Sequence, residues 1–161
     1  MKRSVLLATL LVFVILSWAA VLQAKDVPSD PCQLLPASQL SKTLGLTFGE
    51  PARSPAPPPF RDNPVGTDCS YATGSHQLLF RIYVDPTAAV ARSTHDKVSM
   101  WYAPNKTVAG AWDAAYLDPK HAIHVLKGKV RYYLDYSASG SDAAKYEKGL
   151  TDLAAAIAAQ L

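Results

Sequence analysis

The chain has few cysteines: among its 161 residues only Cys32 and Cys69. It contains no C-x-x-C motif and no cysteine close to a histidine, which argues against a redox dithiol or a zinc site. It also lacks a G-x-S-x-G sequence, and its serines fall in turns and helix caps. We therefore expect no enzyme activity, no metal site and no cofactor.

Net charge is nearly absent from the part of the chain that follows residue 24. Residues 25–161 carry 14 Lys and Arg against 13 Asp and Glu, a balance of +1. A near-neutral domain gives no electrostatic argument for binding nucleic acid or an anionic membrane surface. We therefore expect no nucleic-acid partner.

What the sequence does have is an apolar run at its N-terminus. Lys2 and Arg3 precede the largely apolar residues 5–22, and Ala24 comes just before polar residues. A basic start, an apolar middle and a small last residue are typical of a secretory signal peptide. We therefore predict a signal peptide at 1–24 and a single periplasmic or extracellular domain at 25–161. Because 18 residues also reach the lower limit for crossing a bilayer, an uncleaved anchor at 5–22 is the alternative.

Export would place the two cysteines in an oxidising compartment, where an even pair most simply forms a disulfide. A Cys32–Cys69 bond closes a loop of about 38 residues and would stabilise the fold by about 4 kcal/mol in the chain-entropy model. Within this loop, the six prolines of residues 49–68 exclude helix and interior strand. We predict a proline-rich surface loop there, with a docking segment as the alternative.

Residue periodicity predicts an α+β fold. Alternation predicts strands near 69–73, 78–84, 111–117, 121–126 and 130–136, and helical spacing predicts helices near 30–44, 86–102 and 143–161. Asp85 and Pro86 are the expected cap and first turn of the middle helix. The order predicts an antiparallel sheet of about five strands with N-terminal, middle and C-terminal helices packed on it.

Several short motifs occur together in this chain. Asp30-Pro31-Cys32 precedes Leu34-Leu35, and Cys69-Ser70-Tyr71 opens a predicted strand. With residues 109–116, these motifs resemble a family of uncharacterised exported actinobacterial lipoproteins. The resemblance implies a PsbP-like sandwich of sheet and helices, and it supplies no catalytic residues to carry over. The chain departs from that family because no cysteine follows the apolar run closely enough to carry a lipid.

Tyrosines and arginines on one sheet face are the best candidate binding surface. By alternation, Arg81 and Tyr83 share a face of one predicted strand, and Arg131 and Tyr133 share a face of another. Tyr132 and Tyr136 fall on the opposite face, which we expect to point into the core. Tyrosine and arginine are both enriched in binding surfaces. If nothing covers this face, we expect it to bind an envelope protein, a peptide or a small ligand; covered packing is the alternative.

Two other functions remain open. Asp113, Asp118 and His121 could form an unconventional enzyme site, or the chain could be a structural accessory of the envelope, in contact with the membrane only if residues 5–22 remain as an anchor. His121 and His124 are three residues apart in a predicted strand, so their rings would point to opposite faces and would not share a metal ion.

Overall fold

The structure, a computed structural model, describes residues 27–28, 30–138 and 143–161. The predicted signal peptide or anchor at 1–24 lies outside the described residues. Within the described ranges, no helix is long and apolar enough to cross a membrane.

The described chain alternates between strands and helices. In chain order its elements are a 3-10 helix (Pro31–Leu34), α1 (Ala37–Leu44), β1 (Ala52–Ala56), β2 (Gly66–Thr73), β3 (His76–Val84), α2 (Ala88–Trp101), β4 (Lys106–Thr107), β5 (Ala114–Leu117), β6 (Ile123–Lys127), β7 (Val130–Ala138), a second 3-10 helix (Ala143–Tyr146) and α3 (Glu147–Ala158).

The seven described strands form one antiparallel sheet in the order β1-β2-β3-β7-β6-β5-β4. The predicted mixture of helices with an antiparallel sheet is confirmed, but the prediction of about five strands was wrong because it missed both edges. Strand β1 contains Pro55, which an edge strand tolerates because one side of its backbone has no neighbour to bond. Residues 49–68 are therefore not loop throughout. Strand β4 has two residues, too few for a periodic pattern.

Two tight turns fix the register of the hairpins. Gly74, with φ of +55°, begins the turn between β2 and β3, and Gly128, with φ of +56°, begins the turn between β6 and β7. A positive φ at the first turn residue suits the twist of antiparallel strands, and glycine adopts it without strain.

One face of the sheet belongs to the hydrophobic core, together with residues of α1 and α3. Tyr132 and Tyr136 are buried there, as the alternation predicted. The Tyr132 hydroxyl donates a hydrogen bond to the Ala154 carbonyl of α3 at 2.7 Å. The core also contains the Cys32–Cys69 bond, so the predicted disulfide is present.

Helix α2 faces the other side of the sheet, and its burial is unusual. It buries Ala91, Thr94 and His95, whereas the apolar Val90 and Trp101 are 38% and 60% exposed. Of the stripe Val90, Thr94, Val98 and Trp101 that predicted this helix, Thr94 is buried, Val98 is half-buried and the other two are exposed. A buried polar side chain and an exposed large apolar one are the informative exceptions to ordinary burial. They mark the space between α2 and the sheet as a candidate site.

Candidate functional site

A cleft of about 230 Å³ lies between α2, the sheet and residues 57–59. All four residues of the predicted binding surface, Arg81, Tyr83, Arg131 and Tyr133, line it. The structure thus brings them together, but inside a partly covered cleft and not on an open face. The lining also includes residues that the sequence analysis did not assign to a binding site: His95, Val98, Trp101, Tyr102, Tyr116 and His124.

The floor of the cleft is a row of side chains at matching positions on neighbouring strands. Arg81 of β3 is opposite Tyr133 of β7, Tyr133 is opposite His124 of β6, and His124 is opposite Tyr116 of β5. Directly opposed side chains lie about 5 Å apart on antiparallel strands, so their rings can stack. The His124 ring is 4.6 Å from Tyr116 and 5.1 Å from Tyr133, with interplanar angles of 10° and 28°. We call these four residues the stacked floor.

Both arginines of the cleft are paired with carboxylates. Arg81 donates to the two oxygens of Asp68 at 2.5 and 2.7 Å, and Arg131 donates to those of Asp85 at 2.6 and 3.1 Å. The expected helix cap Asp85 is thus an ion-pair partner, and Thr87 caps α2. Two-point pairing fixes the orientation of each guanidinium and balances its charge.

Tyr83 anchors the proline segment against the sheet. Its hydroxyl donates to the Pro57 carbonyl at 2.7 Å, and the Arg131 guanidinium lies 4.8 Å from its ring centroid. Burial raises the pKa of Tyr83. A Cβ at Gly66 would lie 2.7 Å from this ring, so only glycine leaves room for it. Tyr83 thus fixes one wall of the cleft.

Two buried side chains of the lining have polar atoms without a hydrogen-bond partner among the described residues. They are both ring nitrogens of His95 and the hydroxyl of Tyr116, in residues that are 6% and 4% exposed. Burial lowers the pKa of His95, and Asp96 Oδ1 lies 3.7 Å from His95 Nδ1, beyond hydrogen-bond distance. An unsatisfied buried polar group costs about 1–3 kcal/mol. Such groups beside a cleft are candidates for ligand contact.

The mouth of the cleft is apolar and open to solvent. Trp101 lies there, 60% exposed, with its ring centroid 4.8 Å from that of Phe60. Its neighbour Met100 is 69% exposed but does not line the cleft. The two adjacent residues therefore form a matched pair for mutation.

The side chains of the alternative enzyme site have separate partners, although the His121 amide donates to the Asp118 carbonyl at 2.9 Å. Asp113 accepts a hydrogen bond from the Gly128 amide at 2.6 Å. His121 precedes β6 with a φ of +68°, and its Nδ1 lies 2.6 Å from Glu147 Oε1. The expectation that His121 lies in the same strand as His124 was therefore wrong.

Asp118 holds one member of the stacked floor in place. Its Oδ2 lies 3.2 Å from His124 Nε2, and its Oδ1 accepts from the amides of Lys120 and Ala122. Burial alone would raise the pKa of Asp118, but these hydrogen bonds outweigh it and lower the pKa. In the part of the chain that the structure describes, no group of three or more His, Cys, Asp and Glu side chains could hold a metal ion.

Tyr116 and His124 escaped the sequence analysis as site residues although both lie in predicted strands. Alternation could have assigned each to a face, but only the register shows that they share a row with Tyr133. One feature of the sequence could have drawn His95 into the analysis. It follows Ala91 by four residues, so the two side chains lie on the same side of the helix.

No family model matches this chain, and no curated protein matches it. Among solved structures, the chain is similar to the extracellular domain of PknH from Mycobacterium tuberculosis. The TM-score is 0.51 at 11% sequence identity, over 80% of this chain and 92% of that chain. At this identity the likeness shows the fold alone. Fold and cleft together define an antiparallel α+β domain with a partly covered cleft on one sheet face.

Proposed function

We propose that this chain is an exported module that binds a small ligand in the cleft and does not catalyse a reaction. Export is supported by the signal-like residues 1–24 and by the Cys32–Cys69 disulfide, which is typical of oxidising compartments. The fold shared with an extracellular domain is compatible with that location. In this proposal α1 and α3 cover one sheet face, and α2 covers the other only in part.

The observation that carries the proposal is the pair of unsatisfied polar side chains, His95 and Tyr116, in the lining of the cleft. If His95 and Tyr116 served only to pack the interior, replacing both with apolar side chains would make the protein more stable. Their presence beside a cavity is explained if a bound molecule supplies the missing hydrogen bonds.

The size of the cleft restricts the ligand. An engineered cavity of about 150 Å³ is large enough to bind benzene, and this cleft measures about 230 Å³. The cleft therefore accommodates a small molecule or a single side chain of a peptide, and not a folded protein.

The test is a titration with probes of different chemistry. The protein is isolated in the form that its host exports, and p-cresol, methyl glucoside, inorganic phosphate and N-acetyltyrosinamide are added separately. Binding is followed by amide NMR shifts of cleft residues and by tryptophan fluorescence. We expect at least one probe to bind, with Trp101→Ala weakening it about tenfold, which corresponds to about 1.4 kcal/mol.

Met100→Ala is the matched control, because Met100 is exposed like Trp101 but lies outside the cleft. Its affinity for the same probe should equal that of the unmodified protein. The proposal is overturned if no probe shifts the resonances of cleft residues, or if both substitutions weaken binding equally.

The enzyme alternative has less support, since Asp113, Asp118 and His121 are held by different partners. A structural accessory role would require residues 5–22 as an anchor, and these lie outside the described residues.

A further inference from the structure

We propose that the ligand is uncharged and carries a flat aromatic ring with one hydroxyl group. This inference rests on the proposed binding function and specifies its ligand class. It draws on three properties of the cleft: the orientation of the stacked floor, the balance of charge around it and the chemistry of its unpaired groups.

The stacked floor favours an aromatic ring. Its ring centroids are separated by 4.6 and 5.1 Å, close to the spacing of about 4.8 Å between strands. Rings that are nearly parallel at this spacing stand upright on the sheet. The Tyr102 and His95 rings already contact His124 and Tyr116, at 5.0 and 5.1 Å between centroids, so Tyr133 is the ring of the floor that is left to the cleft. An aromatic ring packed against Tyr133 gains ring–ring contacts that a saturated ring lacks.

The charges around the cleft favour a neutral ligand. Among the described residues, Arg81 and Arg131 are the charged side chains of the lining, histidines apart, and each is paired with a carboxylate. An anion would have to compete with Asp68 and Asp85, which already occupy the guanidinium groups. A cation would meet no unpaired carboxylate in the lining. Either would lose hydration without a compensating partner.

The unpaired groups favour a hydroxyl. The Tyr116 hydroxyl can donate or accept, and a neutral His95 ring has one donating and one accepting nitrogen. A ligand hydroxyl can accept from one of them and donate to the other. These atoms are closed to solvent in this structure, so the His95 or Tyr116 ring must turn slightly toward the cleft on binding.

The experiment compares p-cresol with three relatives by calorimetric titration of the protein in its exported form. Toluene lacks the hydroxyl, methylcyclohexanol lacks the flat ring and p-toluate adds a negative charge. We expect p-cresol to bind at least about fivefold more tightly than toluene, since one net hydrogen bond contributes about 1 kcal/mol. It should also bind more tightly than methylcyclohexanol, which lacks the ring contacts, and p-toluate, whose charge has no partner in the cleft. N-acetyltyrosinamide binding more tightly than p-cresol would identify a tyrosine side chain as the source of the ring; the reverse order would identify a free phenolic molecule.

Two variants test the role of the unpaired groups. His95→Phe and Tyr116→Phe should each reduce p-cresol affinity toward that of toluene and leave toluene affinity within about twofold. Folding of both variants is checked by circular dichroism. Met100→Ala should leave all four affinities unchanged.

The ligand class is wrong if methylcyclohexanol or p-toluate binds as tightly as p-cresol, or if the two variants keep the full preference for p-cresol over toluene. If methyl glucoside or phosphate occupies the cleft and p-cresol does not, the ligand class fails while the binding function stands. If none of the probes occupies the cleft, both proposals fail.

Discussion

Replacing Tyr116 with Phe removes a hydroxyl that has no hydrogen-bond partner in the part of the chain that the structure describes, and it leaves the ring in the stacked floor. Tyr116 is 4% exposed, and its buried hydroxyl neither donates nor accepts a hydrogen bond among the described residues. Removing this hydroxyl from water on folding therefore costs free energy that no new hydrogen bond offsets. We expect Tyr116→Phe to raise the free energy of unfolding, which is the opposite of the usual effect of a core substitution.

The magnitude follows from the cost of an unsatisfied buried polar group, about 1–3 kcal/mol. For a domain of this size, 1 kcal/mol corresponds to about 3–5 °C in Tm. Tyr116→Phe should therefore raise Tm by about 3 °C or more.

Tyr132→Phe is the matched control. The same atom is deleted from a residue that is 2% exposed, but this hydroxyl donates to the Ala154 carbonyl at 2.7 Å. Its loss removes a hydrogen bond and leaves the carbonyl with one partner fewer, which should lower the free energy of unfolding by about 1 kcal/mol or more.

The assay is urea unfolding followed by circular dichroism, with thermal unfolding as a second measurement. Opposite signs for the two variants would support the assignment. If Tyr116→Phe destabilises the protein as much as Tyr132→Phe does, the Tyr116 hydroxyl has a hydrogen-bond partner in solution. His95 is a candidate, because its ring centroid lies 5.1 Å from that of Tyr116. The argument for a ligand contact would then fail.

Two further predictions concern α3 and the protonation of the cleft. Leu153 is 1% exposed, so Leu153→Ala should lower the free energy of unfolding, measured in urea, by about 2–5 kcal/mol. Lys148 is exposed, and Lys148→Ala should change this free energy little. An effect of Leu153→Ala below about 0.5 kcal/mol would mean that α3 does not pack on the sheet. Burial lowers the pKa of His95 from its ordinary value of 6.5. Just below that pH the unfolded chain therefore binds more protons than the folded one. The contribution to the free energy of unfolding that is present above about pH 6.5 is consequently lost as the pH falls. Urea unfolding between about pH 5 and 7.5 should show a smaller loss for His95→Phe than for the unmodified protein, and equal losses would contradict this explanation.

Local features that depend on the alternation of side chains over a few residues could be predicted from the sequence. Alternation over residues 130–136 assigned Tyr132 and Tyr136 to the core and Tyr133 to the other face, because successive side chains of a strand point to opposite sides. One pair of cysteines permitted a single internal disulfide, and that disulfide is present. The prediction of export also comes from the sequence alone, since residues 1–24 lie outside the described residues.

Which of these residues are in contact was decided only by the tertiary structure. Period two assigns each side chain to a face but does not fix which positions of distant strands are opposite each other. Tyr133 and Arg81 are 52 positions apart in the chain and become neighbours through the β3–β7 register. That register is set by the packing of the whole sheet, and so is the crossing of α2 that buries His95 and exposes Trp101. The cleft therefore arises from long-range contacts, which local periodicity does not encode.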